Sequence, residues 1–190
     1  MTTDLELGRV NAADPAAFVG MVAPLFEGAP RFLDRLADAR PFADWGSLFA
    51  AARAIAHAMP EIEQIELIDA HPRLGAPPAT VSEMSFREQG YDRDAAGKPA
   101  AQAEAAAPVA TAAEIERDRV AAKLERLNAA YEARFGFRYC VRMGGRPRAA
   151  LLPDMEASLE GDPETERHRA LDAVVDIAMD RLSAALGLNT

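Results

Sequence analysis

Along most of this chain apolar residues recur every three to four positions with polar residues between them, a period that predicts helices rather than strands. The first stripe, Phe18, Met21, Val22 and Leu25, follows Asp14-Pro15, an N-cap acceptor and a residue with preset φ, and Gly28 and Pro30 end it. From Arg31 to Arg40 a short segment puts Phe32, Leu33 and Leu36 on one face before Pro41 stops it. Behind Asp44, the residues Trp45, Leu48, Phe49, Ala52, Ile55 and Met59 give a full amphipathic helix. Pro60 opens the next, carrying Ile62, Ile65, Leu67 and Ile68.

That helix cannot run through Ala70-His71-Pro72, because the residue before a proline is pushed out of the α region. His71 therefore stands at a helix exit. The following RLGAPPAT reads as an ordered loop, and Thr80-x-x-Glu83 has the form of a capping box for a short helix bearing Ser85, Glu88 and Gln89. From Gly90 to Ala110 the periodicity disappears into an Ala/Pro-rich stretch, read as a mobile surface loop. Thr111-x-x-Glu114 starts a helix with the stripe Val120, Leu124, Leu127, Tyr131, and Gly136 stops it. FRYCVRM, 137–143, is an extended connector. Arg146-Pro147 begins a helix through Leu151, Leu152, Met155 and Leu159. Asp162-Pro163 caps the last helix, whose Leu171, Val174, Val175, Ala178, Leu182 and Leu186 form the longest stripe of all. The expected fold is all-α: one domain over 1–190, an irregular bundle of about eight helices with a mobile loop at 90–110.

Composition agrees with that class, because the apolar 49% is heavy in Ala and Leu while aromatics are only 6%. Thirty acidic against twenty-one basic side chains leave a net charge of −9, which repels phosphate backbones and anionic lipid surfaces; no nucleic acid and no membrane partner is expected. The first residues contain acids and no apolar core, unlike a signal peptide, and no window approaches the roughly 20 apolar residues of a membrane span. A single cysteine, Cys140, excludes an intrachain disulfide and a multi-cysteine metal cluster. A cytoplasmic protein is expected.

Most of the unusual chemistry falls between Glu66 and Gln89. His71 precedes a proline beside a loop, and a neutral imidazole with a pKa of ~6.5 can take or give a proton at physiological pH. Glu88 lies seventeen residues on, with Ser85 and Gln89 on the same side of a helical turn. A carboxylate, a hydroxyl and a carboxamide together suit a small ligand rich in amide-type donors and acceptors, and a His and a Glu across one pocket form an acid/base pair. Each residue alone also has a bland reading, as a packed histidine or a solvated glutamate. His57, on a core helix, and His168, among charges, are read as structural. No His pair with zinc-helix spacing accompanies Asp69 and His71, so no metal is expected. Cys140 has no cysteine-protease signature around it. Arg181 either supports the last helix or aims a guanidinium at an anionic ligand.

The succession HPRLG (71–75), SFREQ (85–89), LERLNAAYEARFGFRY (124–139) and ETERHRALDAVVDIAMDRL (164–182) resembles the OHCU decarboxylases, the 2-oxo-4-hydroxy-4-carboxy-5-ureidoimidazoline decarboxylases of the urate-to-allantoin pathway. The resemblance runs from about Phe18 to Leu182. It implies an all-helical, cofactor-free homodimeric enzyme that yields (S)-allantoin from a small ureidoimidazoline. It further implies His71 and Glu88 as catalytic residues, and Pro72, Ser85, Gln89, Arg181 and the main chain of Tyr139, Cys140, Val141, Arg142 and Met143 as the substrate-binding wall. Two departures stand out. Arg138 replaces the family's usual proline after FGF, and the stretch after Gln89 is longer and less regular.

The implied reaction needs no electron sink from the protein, since the pair left by CO2 can enter the adjacent C=N of the imidazoline. The enzyme must orient the carboxylate, stabilise developing charge and deliver one proton to one face. Two other readings stay open on the residues alone: a helical binding module without catalysis, and a decarboxylase of a related ureido or imidazoline acid.

Overall fold

The computed structural model describes residues 6–92 and 111–188. Among these residues there are nine α-helices and no strand. They are α1 (Leu7–Ala12), α2 (Pro15–Val22), α3 (Pro30–Asp38), α4 (Trp45–Ala58), α5 (Glu61–Asp69), α6 (Glu83–Glu88), α7 (Ala112–Phe135), α8 (Leu152–Ser158) and α9 (Pro163–Ala185). Short 3₁₀ turns occupy Ala23–Leu25, Pro78–Thr80 and Arg148–Leu151. No helix among the described residues is long and apolar enough to cross a membrane.

Side-chain caps set most helix starts. Asp14 accepts from Ala17 N at 2.9 Å, and Asp162 from Thr165 N at 2.9 Å. Reciprocal capping boxes join Asp44 to Ser47 and Thr111 to Glu114, which satisfies two orphan donors at each end. Gly136, at φ +79°, supplies the left-handed residue that closes α7.

α9 is the central strut and packs on α4, α5 and the Ala23–Leu25 turn, while α2, α3 and α4 pack in sequence and α8 lies on α7. Their apolar faces merge into one core that includes Phe18, Phe26, Phe32, Leu48, Leu67, Ile68, Leu124, Tyr131, Leu171 and Val174, each at most 2% exposed. Burial of each such side chain is worth roughly 1.5–3 kcal/mol. Tyr131 gathers Phe135, Phe137 and Tyr139 around its ring at 4.5–5.7 Å. Its hydroxyl donates to Glu166 at 2.8 Å, and Arg169 holds the same carboxylate at 2.9 Å. The connector after α7 is thereby folded back onto α9.

The structure departs from the sequence-based expectation at four places. α1 was not expected, because a six-residue helix with one buried position, Val10, is too short to display a period; the Asn11 amide ties it to the Phe42 backbone at 2.8 and 2.9 Å. The cap of α6 is Ser82, which accepts from Ser85 N, whereas Thr80 turns its hydroxyl to Pro77 O within the 3₁₀ turn. Arg146-Pro147 leads first into a 3₁₀ turn, and α8 starts only at Leu152. Of the loop expected at 90–110, residues 93–110 lie outside the described ones. Tyr91 at its start is buried, stacked under the Arg148 guanidinium at 4.4 Å and hydrogen-bonded to Ala76 O.

Candidate active site

His71 leaves the C-terminus of α5 with its amide still bonded to Ile68 O at 3.1 Å. The backbone around it is held from several sides. Arg138 Nη1 donates to Asp69 O at 2.7 Å and to His71 O at 3.0 Å, and Arg138 N donates to the Asp69 carboxylate at 2.8 Å. The Gln89 carboxamide accepts from Gly75 N at 2.7 Å and donates to Arg73 O at 3.2 Å, while Asn128 Nδ2 donates to Leu74 O at 2.9 Å. Gly75 sits at φ +82°, which side chains rarely adopt, and a Cβ there falls 3.0 Å from Leu124 Cδ1, so that the leucine would have to give.

The imidazole is 4% exposed, and among the described residues neither ring nitrogen has a hydrogen-bond partner of good geometry, the Leu67 backbone making only a weak approach. A buried polar group in that condition is costly, which marks it as a group kept for something other than packing. Burial lowers its pKa to about 4, the nearby Arg181 guanidinium adds to the effect, and the opposing pulls of Glu27 and the Leu67 backbone are smaller. His71 is therefore neutral at physiological pH, with one nitrogen able to accept and the other able to donate.

α6 supplies the facing wall. Ser85 and Glu88, one turn apart, share a side, while Gln89 is the C-cap rather than a helical residue. Glu88 takes both oxygens to Arg181, Oε1 at 2.6 Å from Nε and Oε2 at 2.7 Å from Nη2. Arg181 also donates to Glu27 Oε1 at 2.9 Å, Ser85 Oγ at 3.1 Å, Pro24 O at 3.1 Å and Leu25 O at 3.3 Å. Every donor of this guanidinium is thus engaged by the protein. Glu27, a non-glycine residue at φ +55°, accepts from Ser82 Oγ and Ser85 Oγ at 2.7 Å each, and these donors with Arg181 hold its pKa below the usual carboxylate range against the cost of burial.

A cavity of about 150 Å³ lies between these walls. His71, Pro72, Ser85, Glu88, Gln89 and the run Tyr139 to Met143 all line it. Arg181 does not line it; the guanidinium stands behind Glu88 and Ser85 as their anchor. Nor does a hydrogen bond join His71 to Glu88, so the two share a cavity without forming a pair. Leu74, Gly144, Gly145, Ile177 and Asp180 complete the lining and were missed, as was Glu27 in the network behind. Ile177 and Asp180 had a usable signal, being i−4 and i−1 to Arg181 on one helix. Glu27, between a core phenylalanine and a glycine, had none.

Cys140 is buried, and burial pushes its thiol up to about 12, which removes it as a nucleophile at neutral pH. His57 and His168 pack at a tilt, ring centroids 4.7 Å apart, outside the cavity, with His57 Nε2 2.8 Å from Asp172 Oδ1. Among the described residues no cluster of three His, Cys, Asp or Glu is placed to hold a metal ion.

Comparison with known proteins adds independent information. The sequence pattern of the OHCU decarboxylase family matches residues 11–183. The 2-oxo-4-hydroxy-4-carboxy-5-ureidoimidazoline decarboxylase of Haloferax volcanii is 29% identical over 95% of this chain and 95% of its own length. The uric acid degradation bifunctional protein of Bacillus sp. (strain TB-90) is 24% identical over 94% of this chain, which corresponds to 32% of that longer protein. A crystal structure of OHCU decarboxylase in the presence of (S)-allantoin superimposes with a TM-score of 0.62, covering 92% of this chain and 99% of that one at 18% identity, a similarity of fold.

Proposed function

The chain belongs to the OHCU decarboxylase family, and we propose that it decarboxylates 2-oxo-4-hydroxy-4-carboxy-5-ureidoimidazoline to (S)-allantoin in urate breakdown, as one cofactor-independent helical domain over 1–190. One observation carries the assignment of the site: a neutral, unpartnered imidazole and a fixed carboxylate face one small cavity.

In the proposed chemistry the bond from C4 to the carboxyl carbon breaks and its electron pair forms C4=C5. The C5=N pair moves to nitrogen, which takes a proton. The C4 hydroxyl then loses its proton as C4=O forms, and a proton adds to C5, the carbon bearing the ureido group. Net, one carboxylate and one proton give CO2 and a neutral product. His71 is the residue suited to these transfers, since it is unprotonated and neither nitrogen is held by a well-formed hydrogen bond among the described residues.

The remaining residues position the substrate. The Ser85 hydroxyl donates to Glu27, and Glu88 is gripped by Arg181, so both present acceptor lone pairs and bind the N–H groups of the ureido arm. Pro72 and the main chain of Tyr139 to Met143 hold the ring from the other side, and Gln89 fixes the loop that carries His71. Partial enclosure in a cavity of about 150 Å³ thins the water around the substrate and strengthens these contacts.

We further propose a cytoplasmic homodimer. The free, buried cysteine is compatible with a reducing compartment. The acid surplus of the chain counts against nucleic-acid and membrane partners. The test is direct: freshly generated substrate, made in situ from urate, is followed by circular dichroism, and the protein must produce (S)-allantoin faster than spontaneous decay. A rate equal to that decay, with an optically inactive product, contradicts the proposal.

A further inference from the structure

The cavity has a feature that decarboxylation alone does not require. The residues that line it include two acids, Glu88 and Asp180, and one arginine, Arg142. The other candidate cations are out of play: His71 is neutral, and Arg181 spends all its donors on protein acceptors behind the wall. Among the described residues that line this cavity, a substrate carrying a carboxylate therefore meets Arg142 as the available positive charge.

Arg142 is not buried in a network as Arg181 is. Its backbone is fixed, since its carbonyl accepts from Arg146 Nη2 at 3.0 Å. Among the described residues its side chain hydrogen-bonds Asp180 alone, with Nε 2.6 Å from Oδ2 and Nη2 2.8 Å from Oδ1, and Asp176 adds a longer-range attraction. The two side chains are 52% and 43% exposed, at the rim where the connector meets α9. Exposed pairs of this kind are weakly coupled, so an incoming carboxylate of matching fork geometry can displace Asp180. The Arg181–Glu88 pair, with a 2% exposed guanidinium, has no such freedom.

We infer that Arg142 and Asp180 form an exchangeable rim clamp that selects the anionic substrate over its neutral product. The inference rests on the decarboxylase reading. Arg142 trades Asp180 for the substrate carboxylate on entry. Once the carboxylate has left as CO2, Asp180 reclaims the guanidinium and the neutral product loses its strongest tether. A guanidinium that held the carboxylate through bond breaking stabilises the ground state more than the CO2-like transition state, so the clamp acts in capture and not in the chemical step. Arg142 is a specificity residue, and Asp180 positions it and competes for it.

The test uses the full chain as wild type, Arg142→Gln and Asp180→Asn, with two readouts. In steady-state kinetics on fresh substrate, Arg142→Gln raises KM about tenfold, the loss of a charge-assisted contact, with kcat unchanged or higher. Asp180→Asn frees the guanidinium and lowers KM about two- to fivefold. In calorimetric titration, allantoate, a ureido carboxylate, follows the same opposite pattern, while neutral (S)-allantoin binds all three proteins alike. A tether with a purely structural role shifts both variants in one direction and both ligands together; that result, or an unchanged KM and allantoate affinity in Arg142→Gln, overturns the inference. Titration needs no turnover, so a wild type without activity that still shows the allantoate pattern counts against the decarboxylase reading and not against the clamp.

Discussion

Arg181 on α9 grips Glu88 on α6 through two hydrogen bonds of 2.6 and 2.7 Å, across 93 residues of sequence. That pair, extended by Glu27 and Ser85, ties the Ala23–Leu25 turn, α6 and α9 into one wall. Because the guanidinium is 2% exposed, its removal strands partly buried carboxylates. Arg181→Met is expected to destabilise the fold by about 3 kcal/mol or more. For a chain of this size that lowers Tm by roughly 6–12 °C, measurable by thermal melting followed by circular dichroism. A Tm within about 1 °C of wild type, a few tenths of a kcal/mol, contradicts the role of this network.

His71 sets a pH dependence whose sign follows from its burial. Its pKa falls from 6.5 in the unfolded chain to about 4 in the fold, so on acidification the unfolded state binds the proton first. Stability is full above pH 6.5 and drains away between 6.5 and about 4, by roughly 3 kcal/mol for a shift of this size. Urea midpoints measured across that window drop with falling pH in wild type and drop less in His71→Asn. For the same reason the basic form required for catalysis persists well below pH 6.5, and the acid limb of kcat/KM owed to His71 falls near its folded pKa.

Gly75 tests the loop that carries His71. Gly75→Ala meets a left-handed φ of +82°, which costs about 1–2 kcal/mol. It also brings a methyl to 3.0 Å from Leu124 Cδ1. Both effects push on the segment that Gln89 and Asn128 pin. The variant is expected to melt earlier and to lose kcat beyond its loss of folded fraction, because His71 shifts with the loop. Leu124→Ala combined with Gly75→Ala relieves the contact but not the backbone strain, so it restores position in part, while the cavity left by the buried Leu124 lowers stability further.

Glu27 was invisible in the sequence, and its network offers a separate check. Glu27→Gln keeps the size of the side chain and removes the charge opposite Arg181. Ser85 and Arg181 then face a neutral carboxamide, and the hydroxyl of Ser85 is no longer obliged to point away from the cavity. The expected outcome is a rise in KM, a kcat reduced about tenfold and a fold retained by far-UV circular dichroism.

The helices were legible because their signals are local: the stripe Trp45 to Met59 behind Asp44, the capping box Thr111-x-x-Glu114, the Gly136 stop. What failed was also local but ambiguous. Thr80 and Ser82 are both good caps two residues apart, and only the Pro78–Thr80 turn decides between them. For the candidate site, the motifs grouped the lining residues but not their relations. Nothing in one dimension says that Arg181 is saturated, that His71 lacks a well-formed hydrogen bond, or that Arg138 holds the carbonyls of Asp69 and His71. Such facts depend on which helices meet, and α9 reaches α6 only because the core orders both.

The central claim is that His71, neutral and unpartnered in this cavity, performs the proton transfers of the decarboxylation. The most direct measurement is the rate of (S)-allantoin formation from fresh substrate by His71→Ala, with folding verified by far-UV circular dichroism and by retained binding of (S)-allantoin. Loss of general acid–base catalysis predicts a kcat lower by about 10²–10⁴-fold with the fold intact. A folded His71→Ala protein that turns over at the wild-type rate contradicts the account.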